Sequence, residues 1–331
     1  MTSIKNTAVG MLAGLGALLA PFSALPQSNW PSKPLVVISP APGSTADFLP
    51  RIVFERVASD LGTVLVMEFK QGLGGTIALE AVARSAPDGY TIGIPSLGSL
   101  GIASTIQAKT LRYDPMKDFA GVARMVTTGN VIAVNKDVPV NTIAELVEYA
   151  KAHPGKLNFA AIAGFGTSYH LAWVLFAKRA GIDIVQIPFK GVADATQATM
   201  AGDVQLIMSN TNTLLSAIQS GRLKALAVTT AVREPSLPNV PTMGESGLPG
   251  YEATSWFGAV VRAGTPQAIV DRLSAATLKA LQDPKVIAQL QKIGLDPYPQ
   301  NSREFDAFYR AEMTRWAQVV KDSGFKIEEG K

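Results

Sequence analysis

Two short segments concentrate the residue types that bind an anion without a formal charge. The first is Pro42-Gly43-Ser44-Thr45-Ala46-Asp47, preceded by Pro40 and Ala41; the second is Gly164-Phe165-Gly166-Thr167-Ser168. Each lies between an apolar run and a stretch of helical periodicity. Glycine lets the backbone approach a ligand with no Cβ in the way. The first amides of a helix are unpaired donors at the positive end of its dipole, so a carboxylate or phosphate held there needs no lysine. Taken singly, each segment reads better as an ordinary turn with Ser44, Thr45 or Ser168 as a helix cap. Taken as a pair, one in each half of the chain, they read as two jaws for one anion.

Other residues could join such a site. Gly72-Leu73-Gly74-Gly75 has the wrong spacing for a dinucleotide fingerprint and no acid at the proper distance beyond it. It reads as a turn whose amides, near Gly75 and Thr76, reach a pocket floor. Ser96 follows the apolar run Thr91 to Pro95. Lys190 and Asn210 follow the runs Ile184 to Pro188 and Val204 to Met208, at strand ends where open α/β sheets bind ligands. Lys190 could meet a second carboxylate; the blander reading, a surface or interlobe lysine, is preferred because lysine is seldom buried. Asp47 could receive an amine, although capping its own turn is the simpler role. His170 could touch a bound carboxylate, although a packed or capping histidine is simpler.

Catalysis finds less support. Ser168 and His170 are two apart and point to different helix faces. There is no G-x-S-x-G elbow. Two histidines (His153, His170) and no cysteine leave a catalytic zinc site without donors. No catalytic residue, metal or cofactor is therefore expected.

The positioning elements follow from the pattern around these segments. The chain has 331 residues, 47% hydrophobic and 17% charged, with a formal net charge of +4: a core-rich composition with room for two domains. Charges are scattered, with no basic stripe, so no nucleic-acid partner is expected. Residues 1–25 read as a signal peptide, with Lys5 as the positive start and Ala8 to Ala20 as the apolar run. The alternative is an uncleaved anchor helix. Beyond it, strand-like runs at Leu35–Ser39, Val64–Glu68 and Thr91–Pro95 alternate with helical ones, which predicts βαβ units. A second alternating run covers Val131–Asn135, a helix over Thr142–His153 with a Thr142/Glu145 capping box, and strands at Leu157–Ala161, Ile184–Pro188, Val204–Met208 and Ala225–Thr229. Trp256–Val261 reads as a strand returning to the first unit. These runs predict an α/β fold of two lobes, each a mostly parallel sheet flanked by helices. Lobe one takes 30–126 plus 255–331, and lobe two takes 127–254. Two crossings make a hinge, and the hinge makes a cleft, where pockets preferentially form.

The mature chain also resembles the extracytoplasmic receptors of tripartite tricarboxylate transporters, the Bug receptor family. The resemblance rests on Trp30-Pro31-Ser32-Lys33-Pro34, Ala86-Pro87-Asp88-Gly89-Tyr90-Thr91, Tyr113-Asp114-Pro115-Met116-Lys117-Asp118-Phe119 and His153-Pro154-Gly155-Lys156-Leu157-Asn158-Phe159. It continues through Gly166-Thr167-Ser168-Tyr169-His170-Leu171, Pro188-Phe189-Lys190-Gly191, Glu245-Ser246-Gly247-Leu248-Pro249-Gly250 and Gly264-Thr265-Pro266. It implies a periplasmic binding protein fold of type II that closes on a small carboxylate and delivers it to membrane subunits of a tripartite transporter. It maps the carboxylate onto the loop Pro40–Asp47 and the opposite jaw onto Gly164–Ser168. The chain departs from the family pattern at Ser44, Phe69-Lys70-Gln71, Thr76 and Ser209, positions that bear on the ligand's identity more than on the fold. A monomer is expected, since a hinge that must open leaves little room for a large interface. Rival readings are a ligand-sensing adaptor for a sensor kinase and a secreted hydrolase.

Overall fold

The computed structural model describes residues 30–162 and 167–323. The expected signal peptide, with its anchor-helix alternative, and the Gly164–Gly166 portion of the second jaw lie outside the described residues. Among the described residues no helix is long and apolar enough to cross a membrane.

The first run of elements is β1 (Leu35–Ser39), α1 (Thr45–Asp60), β2 (Leu65–Phe69), α2 (Thr76–Ala83) and β3 (Thr91–Gly93). A π-helical turn over Leu97–Ile102 then runs into α3 (Ala103–Ile106), followed by β4 (Phe119–Thr128). The second run is β5 (Asn130–Asn135), α4 (Ile143–Ala152), β6 (Asn158–Ile162), α5 (Ser168–Ala180), β7 (Val185–Phe189), α6 (Val192–Ala201), β8 (Leu206–Asn210), α7 (Thr211–Gln219) and β9 (Leu223–Val228). The chain ends with β10 (Ser255–Arg262), α8 (Gln267–Gln282), α9 (Pro284–Lys292), β11 (Asp296–Gln300) and α10 (Ser302–Ser323).

These strands build two sheets. The first has the order β11-β4-β10-β3-β1-β2 and the second β7-β6-β8-β5-β9. Parallel pairing holds inside the βαβ units: β1 with β2 and β3, and β6 with β7 and β8. Elsewhere both sheets are antiparallel, at β10 with β3 and β4, β11 with β4, and β5 with β8 and β9. The sheets are therefore mixed. A local pattern of strand and helix gives the direction of neighbours in sequence. It does not give the direction of β10, which inserts antiparallel between β3 and β4 after the chain returns from the second sheet.

Both cores follow from apolar residues at strand and helix periods. β5 is buried at every position, as expected for a strand covered on both faces. Trp173 of α5 stacks on Phe159 of β6 with ring centroids 4.1 Å apart. Burying such a side chain stabilises by about 2 to 3 kcal/mol before entropy is subtracted. Thr142 caps α4, accepting from Glu145 N at 3.1 Å. The expected capping box is half-formed, because the Glu145 carboxylate turns back to Asn141 N instead (2.7 Å).

The chain crosses between sheets at Gly129 and again through the loops that lead from β9 to β10. Asn130 ties the crossings together: its Nδ2 donates to Ala253 O at 2.7 Å, and its Oδ1 accepts from Asn210 Nδ2 at 3.0 Å. Thr229 Oγ1 also donates to Ala253 O (2.6 Å). The polar groups of the crossing are thus paired with one another, which fixes the end of β8 relative to the crossing.

Candidate functional site

The largest convergence of helix starts lies between the two sheets. From one side come the first turns of α1 and α2, and from the other those of α5, α6 and α7. Each follows a strand end or the loop beyond it, the place where open sheets receive ligands. They surround a cavity of about 760 Å³, its open mouth included, with residues from both sheets in its wall.

The caps of these helices are informative. No side chain caps α1 at Ser44, α2 at Gly75, α6 at Gly191 or α7 at Asn210. Ser44 Oγ instead donates to Ala41 O at 2.7 Å. Away from the cavity, α4 and α9 are capped by Thr142 and Asp283, while α8, which follows Pro266, has no side-chain cap. Four helix starts therefore present first-turn amides with no capping oxygen of their own, which suits an anionic guest. α5 differs, for Thr167 caps it by accepting from His170 N at 3.2 Å.

Elements of the two sheets already touch around the cavity. Thr45 Oγ1 donates across the gap to Asn212 Oδ1 at 2.8 Å, with Asn210 Oδ1 at 3.3 Å. Asn212 Nδ2 is buried without a partner among the described residues, a spare donor beside this contact. Ser168 Oγ meets Ser255 Oγ at the start of β10. A Cβ added to Gly74 would lie 3.5 Å from Thr167 Cγ2, and one added to Gly43 would lie 3.9 Å from Ala193 Cβ. The backbone at Gly72–Gly75 runs through four successive positive φ angles, with Leu73 at +48° the non-glycine member. Glycine supplies that path at low cost, and it brings the loop edge against Thr167 at the start of α5.

Of the residues singled out from sequence, Ala41, Ser44, Thr45, Gly75, Ser96, Thr167, Ser168, Lys190 and Asn210 line the cavity. Pro42, Gly43, Asp47, Thr76 and His170 are not in its wall, each for a visible reason. The Asp47 carboxylate accepts from Gly43 N at 2.9 Å and Arg51 Nε at 2.6 Å, so it braces the first loop from behind. Pro42 and Gly43 form the back of that turn. Thr76 Oγ1 donates to Leu73 O at 3.1 Å, holding the glycine loop. His170 is buried, with Nε2 2.9 Å from Gln186 Oε1. Burial holds its pKa below the usual histidine value, and the Gln186 contact opposes that only in part. Gly166 lies outside the described residues.

Ser209, named as a departure that bears on the ligand's identity, lines the cavity too, and sequence reasoning passed over Ser99, Tyr169, Gly191, Val192, Thr213 and Phe257, which do so as well. Ser99 pairs with Ser96: each backbone N–H donates to the other's hydroxyl, at 3.0 and 3.3 Å. The S-x-x-S spacing was the available signal. Gly191 stood next to Lys190 and begins a helix, a cue of the same kind as the two jaw loops.

Comparison with known proteins identifies the family of the chain. Residues 49–325 match the family described as "Tripartite tricarboxylate transporter family receptor". The chain is 30% identical to Protein BugT of Bordetella pertussis over 321 residues, 97% of each chain. It superposes on R. palustris Rpa4515 with adipate at a TM-score of 0.85 and 32% identity, covering 89% of this chain and 98% of that one. It also superposes on MatC from Rhodopseudomonas palustris with bound malate at a TM-score of 0.82 and 32% identity, covering 88% and 100%.

Proposed function

The chain belongs to the tripartite tricarboxylate transporter family of receptors, and from that premise we propose that it is a periplasmic solute receptor that closes two lobes on a small carboxylate. The lobes are 30–126 with 255–331, and 127–254. The observation that carries the proposal is the ring of helix starts from both sheets around one cavity, four of them without a side-chain cap.

Binding follows from those donors. One carboxylate oxygen pair meets backbone amides at the start of α1 on one side, and at the starts of α6 and α7 on the other. Hydrogen bonds to a charged group contribute about 1.5 to 3 kcal/mol each. Neither lobe alone supplies the full set, so the ligand stabilises the closed form over the open one. Thr45 and Asn212 act as a latch that forms on closure. Asn210, held at the hinge by Asn130, positions the α7 turn. Lys190 is exposed at the cavity wall and attracts anions toward the mouth. The closed receptor then delivers its ligand to the membrane subunits of a transporter.

The adipate- and malate-bound relatives support a carboxylate guest. A thermal-shift panel of mono-, di- and tricarboxylates on the purified mature protein tests the proposal. At least one acid raises the melting temperature in a dose-dependent way; a flat response across the panel overturns it.

A further inference from the structure

The Gly72–Gly75 loop has an outer side as well as the inner one that meets the cavity. Gly72, Gly74 and Gly75 stand in the cavity wall, and Leu73 does not. Leu73 lines a second crevice instead, of about 1170 Å³ with its open mouth included, between α2 and the segment that follows α3. Among the described residues Leu73 is the one non-glycine with a positive φ, +48°. Glycine adopts that conformation freely and leucine resists it. The side chain is 56% exposed, so burial offsets little of the strain. Strain of this kind gathers where the backbone serves a function. Ile77, four residues on, is exposed as well. A Cβ added to Gly72 would lie 2.7 Å from Ile77 Cδ1, so Ile77 rests on bare backbone and is held in place beside Leu73's loop.

The charges around this apolar pair are mostly of one sign. Lys70, Arg84 and Arg112 line the crevice together with one acid, Glu80, among the described residues. Glu80 Oε1 accepts from Arg84 at 2.8 Å, and an Arg112 guanidinium nitrogen stands 3.8 Å from the same oxygen. One carboxylate thus faces two exposed guanidiniums, whose planar forks suit further carboxylates. A fixed apolar pair rimmed by charge marks an interaction surface better than scattered apolar residues do. We infer that this outer face docks a protein partner, which sets an apolar side chain against Leu73 and Ile77 and carboxylates against Arg84 and Arg112. In the proposed delivery step that partner is an acidic extracytoplasmic segment of the transporter's membrane subunits. The inference rests on the proposed delivery and names the surface it uses.

Uptake and binding separate this face from the cavity. Uptake is measured in native host cells whose own receptor gene carries each variant, with radiolabelled succinate, malate, adipate and citrate. Affinity for the same acids is read by calorimetry on the purified mature protein. Leu73→Asn removes the apolar side chain and keeps a backbone that asparagine tolerates. Arg112→Glu reverses the charge of the rim. Each variant keeps its affinity within about threefold of wild type, and uptake falls at least about tenfold. Val185→Thr, at an equally exposed apolar residue of β7, leaves both unchanged. Wild-type uptake in both Leu73→Asn and Arg112→Glu overturns the inference. So does an affinity that falls in step with uptake, which assigns the loop to the cavity alone. Binding to phosphatidylglycerol vesicles that both variants abolish assigns the surface to a membrane and overturns it too. A wild-type protein that binds an acid yet supports no uptake fails the delivery step itself, and the inference falls with it.

Discussion

The first turn of α7 faces two very different cavities. On its front, Asn210 and Thr213 line the cavity between the two sheets, where no acid stands among the described residues. On its back, Thr211 Oγ1 donates at 3.0 Å to Glu234, a buried carboxyl beside an open crevice that also holds Gly129, Arg233 and Asp296. On the proposed function, the front receives a negative charge from outside. The back already contains a carboxyl of the chain itself, beside the chain crossing. Burial, with Asp296 nearby, pushes the Glu234 pKa up to about 7, and the Thr211 hydrogen bond opposes this only in part. The contrast shows how one helix start serves both functions: a residue of the chain fills the back, so the front is left for the ligand.

The sharpest test of the back is Gly129→Ala. Its Cβ would come within 2.0 Å of Glu234 Oε1 and 2.6 Å of Thr230 Cγ2. We expect a loss of about 3 kcal/mol in urea denaturation, since an overpacked, paired site relaxes poorly. An effect near zero would mean that Glu234 is free to leave the crossing.

Next comes the pH dependence of Glu234→Gln. A carboxyl whose folded pKa exceeds its unfolded value holds its proton more tightly when folded. Its contribution to stability is complete below pH about 4.5 and fades as pH rises through about 7. The variant should equal wild type at pH 4.5 and exceed it at pH 8 by up to about 3 kcal/mol. Parallel stability profiles for the two proteins would contradict the buried-acid account.

On the front, Thr45→Val removes the hydroxyl that reaches Asn212 across the cleft. Carboxylate affinity should fall about tenfold by calorimetry, with little change in the melting temperature of the free protein. The smallest expected effects come from two caps. Thr142→Ala and Thr167→Ala each remove a capping oxygen and should cost about 1 kcal/mol of stability. Only Thr167→Ala, in the cavity wall, should also weaken ligand binding.

Much of this front was legible in the sequence, because Gly, Ser and Thr clustered between strand and helix patterns. Pro40 to Thr45 and Thr167-Ser168 could be named from type and spacing. Asp47 could be seen as a turn acid, and Arg51, which holds it, lies one helical turn on. β4 escaped because Arg124 interrupts its apolar run; the guanidinium is covered by Phe308 and Tyr298 instead. β11 escaped because it contains Pro297 and Pro299, tolerated only on the edge position it occupies. β8 was expected to stop at Met208, yet Ser209 and Asn210 extend it, buried. Their burial depends on Asn130 and Thr213, partners far along the chain or on the next helix. The back was illegible for the same reason. Nothing local marks Glu234 as buried, since Gly129, 105 residues earlier, makes the space.

Amide NMR during titration with a binding dicarboxylate addresses the central claim most directly. The proposed clamp predicts that the backbone N–H signals of Thr45 and Ala46 in lobe one and of Val192 and Ala193 in lobe two shift together and saturate at one shared ligand concentration. Shifts confined to one lobe, or centred on the Glu234 crevice, would contradict it.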